Sequence, residues 1–302
     1  VPKRFTRPSG VRVTQCDSWD DFIQALRFGP DRHRPAVSKF YRGHAEPHWK
    51  LSSAWERLRN HYKEFLPDED ARQIFRMTTD ASNDDQFLMI FKDQISRMPN
   101  IPTHALKTKA DWWAFGRHFG LYTPLLDWSQ SPFIAAFFAF TDRLFAKEIY
   151  PEYDPAGHER MDATTPVVIW ELSSFTDIID PPEFNVIVNS YYDFHRQRTQ
   201  LGGFTCLIHD LYTDLESYMQ SRDLGSFLSR YEIPCSSVDD AHLALADLDR
   251  MNIHYGTVFP DPHGAAQYAN HSQYWLPMGI DRAGTIGGSA VGSIRPRTPD
   301  SQ

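Results

Sequence analysis

The chain has 302 residues, 41% hydrophobic and 14% aromatic, with an ordinary 23% charged, enough to bury a full core in one large domain or two small ones. A formal net charge of −8 argues against broad non-specific nucleic-acid binding, which needs a basic footprint, and leaves room for a local basic groove only. Three scattered cysteines, Cys16, Cys206 and Cys235, form no C-x-x-C pair; they give no disulfide framework or zinc site and suit a reducing, cytoplasmic setting.

The opening "VPKRFTRPSG" lacks the apolar core of a signal peptide and reads as a flexible lead over residues 1–10. "VRVTQ" alternates like a short strand, and Asp17 or Ser18 caps a helix over "WDDFIQALRF", where Trp19, Phe22, Ile23 and Leu26 recur at helical spacing. "AVSKFYRG" is expected to be a strand closed by Gly43, followed by a helix over "SSAWERLRNHYKEF" capped by Ser52 or Ser53. "DEDARQIFRMTTD" and "DDQFLMIFKDQISRM" continue in helical rhythm, and "KADWWAFGRHFG" is a helix ending at a C′ glycine, Gly120. "SPFIAAFFAFTDRLFAKE" carries the clearest helix signal: Ser131 at the N-cap, Pro132 at N1, and apolar residues nearly all round its first two turns. Its most apolar run is far too short to cross a bilayer, so no membrane is expected as a partner.

After the polar stretch "YPEYDPAGHERMDATTP", "VVIWEL", "FTCLIHD" and "FLSRYEIP" read as strands and "VDDAHLALADLDRM" as a capped helix. "IHYGTVFP" is expected to be a last strand or strand-like turn, and "DPHGAAQYANHSQYW" a closing helix. Residues 279–302, rich in Gly, Ser, Arg and Pro, read as a disordered tail, leaving one domain over 11–278. Strands and helices mix without regular β-α-β alternation, which makes the class α+β.

Three segments carry candidate chemistry. In "FYRGH", Arg42 emerges from a strand with a planar fork suited to phosphate or carboxylate, and Gly43 lets a ligand approach the backbone; the plain alternative is a surface ion pair and a turn. In "GRHFGLYTPLLDWSQSPFIAAFFAF", Asp127, Ser129 and Ser131 crowd a helix N-terminus that favours anions, with His118 and Thr123 close in sequence; capping and core packing are the alternatives. In "FHRQRTQLGGFT", Arg196 and Arg198 precede Gly202 and Gly203, either as a phosphate or nucleic-acid contact or as a solvated loop. The phosphate-loop, dinucleotide-fingerprint and nucleophile-elbow motifs are absent, and Gly43 and Pro47 argue against the helix that would make His44 and His48 metal ligands.

Together, "FYRGHAEPHWKL", "RHFGLYTPLLDWSQSPFIAAFFAF", "RQRTQLGGFT" and "MNIHYGTVFPDPHGAAQY" resemble, in order, the motifs of the FRG domain, a family named after its (F/Y)-R-G signature. The arrangement is also similar, more distantly, to the ADP-ribosyltransferase superfamily. That resemblance implies two small antiparallel sheets forming a cleft for NAD, with surrounding helices. It implies catalytic roles for Arg42, Ser129 and Gln200, the last neutral where those enzymes carry Glu, with Glu171 and Asp127 as substitute carboxylates. Tyr41, Gly43, His118, Thr123, Asp127 and Arg198 are the implied NAD-binding residues. The implied activity is an NAD-dependent ADP-ribosyltransferase-like enzyme, a toxin or phage-defence effector, cleaving the nicotinamide–ribose bond with NAD as substrate and an unknown protein or nucleic-acid acceptor. The competing expectation is a non-catalytic nucleotide- or nucleic-acid-binding module using Arg42, Arg196 and Arg198. A metal-dependent hydrolase or nuclease comes third, since no carboxylate or histidine cluster suggests a metal site.

Overall fold

In the computed structural model the described residues are 2–28, 39–63, 65, 85–99, 101, 103–149, 165–173, 184–187, 199–208 and 214–272. Arg196, Arg198, the segment "DEDARQIFRMTTD" and the tail from 279 lie outside them.

The described strands form one eight-stranded sheet in the order β1-β2-β8-β5-β3-β4-β7-β6. They are β1 Lys3–Thr6, β2 Arg12–Gln15, β3 Lys39–His44, β4 Leu125–Ser129, β5 Val167–Ser173, β6 Phe184–Ile187, β7 Gly202–Leu207 and β8 Leu228–Ile233. The α+β class holds. The two separate sheets implied by the resemblance are corrected to a single one, and its strands are not all antiparallel, because β2 and β8 run parallel. The sheet is nevertheless pinched. β3 pairs with β5 along its whole length, Lys39 to His44, but meets β4 only where Tyr41 stands opposite Ser129. One side of the pinch holds β1-β2-β8-β5-β3 and the other β4-β7-β6.

Helices cover the two sides separately. Helix α1 (Trp19–Phe28) starts after Ser18, whose Oγ accepts from Asp21 N at 3.2 Å. Helix α2 (Ala54–Lys63) is capped by Ser53, in a reciprocal box with Glu56. Helix α3 (Gln86–Ser96) is capped by Asp85. Helix α4 (Lys109–His118) follows a Thr108–Asp111 capping box and ends before Gly120, whose φ of +87° is the left-handed geometry expected at C′. Helix α5 (Pro132–Ile149) crosses β3 and β5, and its Ala135, Phe137, Ala139 and Phe140 share a core with Tyr41, Ile169, Phe22 and Leu245. Helices α3 and α4 instead supply Leu88, Trp113 and Ala114 to a core with Leu125, Phe204 and Cys206 of β4 and β7. The opposite face of the sheet buries Phe40, Leu126, Trp128, Trp170 and Leu172 against Leu51 and the short helix α6 (Leu215–Ser221).

Residues 3–6, read as part of a flexible lead, form β1 and pair with β2, which supplies the ladder partners that the polar sequence "KRFT" does not advertise. Helix α7 (Val238–Arg250) begins with the expected capping box, here Ser237 and Asp240. The expected last strand or strand-like turn over "IHYGTVFP" is a short helix instead, α8 (Tyr255–Val258); His254 N donates to the Thr257 hydroxyl, and Tyr255 packs edge-on against Phe137 in the α5 core. Helix α9 (Pro262–His271) closes the described chain. No helix among the described residues is long and apolar enough to cross a membrane.

Candidate functional site

Strand β3 does not end at Gly43, as expected, but runs through it to His44, with Gly43 opposite Ile169. A Cβ at Gly43 would lie 1.9 Å from the Ala135 carbonyl oxygen and 2.9 Å from Ala139 N. The glycine thus admits the backbone of α5 rather than a ligand. Tyr41, on the same face, is 7% exposed and belongs to the α5 core.

Arg42 alternates to the other face and turns its guanidinium into the opening beyond the Tyr41–Ser129 pair. There Nη1 donates to the Asp127 carbonyl at 2.8 Å and Nε to His44 Nε2 at 3.1 Å. Where the ladder stops, a β4 carbonyl would lose its partner; the arginine replaces the missing backbone donor. Among the described residues, Nη2 makes no bond. Burial lowers the Arg42 pKa to about 10, with Asp127 opposing that shift and Arg57 and Arg117 adding to it. His44 is held well below its ordinary value by burial first, then by Arg42 and Arg57, so it is neutral and its Nε2 accepts.

Asp127 lies on β4 between Arg42 of β3 and Arg117 of α4. Arg117, in the last turn of α4, grips its Oδ2 through Nε at 3.2 Å and Nη2 at 2.9 Å, and Arg42 Nη1 stands 3.9 Å from the same oxygen. Burial works against the charge of this carboxylate, but Arg117, Arg42 and His118 outweigh it and hold the pKa below the usual range. The group still keeps 42% of its side chain exposed, so this cluster opens to solvent. Asp142 of α5 also feels Arg42, yet burial dominates and raises its carboxyl to about 6.

Ser129 and Gln200 do meet. Ser129 Oγ donates to the Gln200 carbonyl at 2.7 Å and accepts from Ser131 N at 3.0 Å, joining β4, the start of α5 and the turn before β7. The hydroxyl is spent on the fold and 96% of the residue is out of reach of solvent, its exposure being 4%. The Gln200 amide points to α8, donating to the Val258 carbonyl at 3.3 Å. Thr123 is completely buried, and its carbonyl accepts from Trp55 N. Glu171, the substitute carboxylate, is 2% exposed and held by Lys39 at 2.9 Å and the Tyr231 hydroxyl.

The structure therefore gathers Arg42, His118 and Asp127 of the expected residues into one cluster, sets Ser129 and Gln200 beside it in structural roles, and places Tyr41, Gly43 and Thr123 in the interior. Reading by motif missed Arg57, Arg117 and Asp142, and weighed His44 only as a metal ligand. Arg117 had a usable signal: a charged residue in the last turn of a helix whose next-door histidine was already a candidate. Asp142 had one too, as a lone carboxylate seven residues from Ala135 and three from Ala139, on the stripe of α5 that faces the sheet.

Residues 38–148, from the start of β3 almost to the end of α5, match the family model of the FRG domain. No curated protein and no solved structure matches the chain. The matched span holds every member of the Arg42–Asp127 cluster.

Proposed function

We propose that the chain is an NAD-dependent ADP-ribosyltransferase-like enzyme whose dinucleotide lies across the pinch in the sheet, with its pyrophosphate on Arg42 and Arg117. The observation that carries this reading is the state of Arg42: anchored at Nε and Nη1, uncommitted at Nη2 among the described residues, with Arg57 nearby, and sharing a solvent-open carboxylate, Asp127, with Arg117. A fixed guanidinium edge presents phosphate with a planar donor pair at little further cost in side-chain entropy. Cleavage of the nicotinamide–ribose bond builds positive charge on the ribose, which asks for positioning and a nearby negative group rather than a strong base. Asp127, kept ionised by its arginines, supplies that charge in place of the neutral Gln200, while Ser129 fixes the turn that carries Gln200.

The reading is tested by thermal denaturation with NAD and by chromatography of released nicotinamide. One millimolar NAD, at a dissociation constant of about 0.1 mM, stabilises the fold by roughly 1.4 kcal/mol, a shift of a few degrees. Arg42→Ala abolishes both the shift and nicotinamide release. Absence of any shift for the unaltered chain refutes the reading.

The alternative, a nucleotide-binding module without turnover, is favoured by one observation: Ser129 Oγ and Gln200 Nε2 are bonded within the protein. It predicts the same NAD-induced shift, lost in Arg42→Ala, with no nicotinamide released.

A further inference from the structure

Asp142 stands out among the carboxylates of the described chain. It continues the Ala135–Ala139 stripe of α5 whose backbone presses on Gly43, so its side chain is directed at the β3 side of the pinch. Among the described residues it makes no hydrogen bond and no ion pair, although it is half-buried. The adjacent cation, Arg143, does not serve it: that guanidinium is committed to the Ala45 carbonyl, Glu46 and Thr165. The titratable and charged groups of the cluster are Arg42 and the neutral His44 on β3, Asp127 on β4, Arg57 on α2, and Arg117 and His118 on α4. Of these, Arg42 acts directly on Asp142, and it does so from farther than an ion-pair distance.

A carboxylate left in this position costs stability and gains no partner among the described residues, which is the mark of a group kept for chemistry. Asp127, the other carboxylate that acts on Arg42, is gripped through two nitrogens by Arg117 and is a poor proton acceptor. The two carboxylates around Arg42 thus have environments that push them apart, one fixed as an anion and one able to change its proton.

We propose that Asp142 is the proton acceptor of this site, taking the proton from the water or hydroxyl group that replaces nicotinamide; this rests on the reading of the site as NAD-cleaving. In that step the bond between ribose C1′ and the nicotinamide ring nitrogen breaks and its electron pair leaves with nicotinamide. The acceptor oxygen bonds to C1′, and the proton it sheds passes to Asp142. The raised carboxyl pKa of about 6 leaves Asp142 ionised at neutral pH and still basic enough to accept.

The test compares the unaltered chain with Asp142→Asn and Asp142→Glu, using NAD as the probe. Asp142→Asn is expected to keep the NAD-induced thermal shift and lose about 100-fold or more in nicotinamide release, as is common for removal of a general base. The rate of the unaltered chain should fall on acidification through about pH 6, a limb absent from the residual activity of Asp142→Asn. Asp142→Glu should recover part of the rate. Equal rates for Asp142→Asn and the unaltered chain overturn this assignment alone. Loss of the thermal shift together with the rate also overturns it, because a proton acceptor does not hold the ground-state ligand. An unaltered chain that neither binds nor cleaves NAD overturns the functional reading, and this assignment with it.

Discussion

Asp142→Asn makes a prediction about stability that needs no ligand. Burial raises the Asp142 carboxyl from an ordinary 3.8 to about 6, against the opposing pull of Arg42. The folded chain then holds a proton that the unfolded chain releases, so between about pH 4 and pH 6 stability falls as pH rises. Above pH 6 the full penalty is present; a change from 3.8 to about 6 corresponds to about 3 kcal/mol. Residual contact with solvent screens part of it, so about 1–3 kcal/mol is expected. Asparagine has the same shape and no charge, and removes the penalty. Thermal or urea unfolding should show Asp142→Asn to be more stable than the unaltered chain by that amount at pH 7.5, with the difference shrinking towards zero at pH 4. A variant less stable at pH 7.5, or a difference independent of pH, would show that the attraction of Arg42 outweighs burial, and the placement of Asp142 as an unpartnered group would fall.

Two further substitutions test the geometry around the pinch. Gly43→Ala drives a methyl group to 1.9 Å from the Ala135 carbonyl oxygen, and since backbone must yield, a loss of about 3 kcal/mol or more is expected in denaturant melts, with poor soluble expression; a variant as stable as the unaltered chain would mean that α5 does not rest on β3. Ser129→Ala leaves the Gln200 carbonyl and Ser131 N without their hydroxyl partner, costing about 1–3 kcal/mol. Fitted at saturating NAD, its nicotinamide release should fall less steeply than that of Arg42→Ala, because the hydroxyl positions a turn rather than touching the ligand.

Local signals served the helices well and the site poorly. The caps at Ser18, Ser53 and Ser131 and the C′ glycine at Gly120 are written in a few neighbouring residues, and each helix they delimit begins or ends where the spacing predicts. Strand β1 and helix α8 were misread because their conformation comes from distant partners. β1 depends on a ladder with β2, and α8 on the packing of Tyr255 against α5. The "RG" pair shows the same division at one position. Arginine and glycine were correctly marked as unusual, but the sequence does not say that the glycine faces a helix while the arginine fills a break in a sheet. A motif records that two residues are constrained, and only the topology separates the constraint of packing from that of chemistry.

The pinch joins those two constraints. Helix α5 lies directly on β3 because Gly43 lets it, and α4 lies on β4 and β7, so the two helical layers stand on different halves of the sheet. Continuing the β3–β4 ladder past Tyr41 and Ser129 would give the β4 carbonyls that face β3 a backbone donor; stopping it leaves the Asp127 carbonyl to Arg42. A guanidinium can fill that role with one nitrogen and still present another, which an amide N–H cannot. The break therefore exchanges an ordinary ladder bond for a fixed positive group held beside Asp127 and Arg117 and felt by Asp142. Arg42→Lys separates the two duties: an ammonium retains the charge and one bond to the Asp127 carbonyl, but not the planar edge. It should fold, and fail to be stabilised by NAD. If lysine supports NAD binding as well as arginine does, charge alone suffices, and the geometry of the break contributes nothing to recognition.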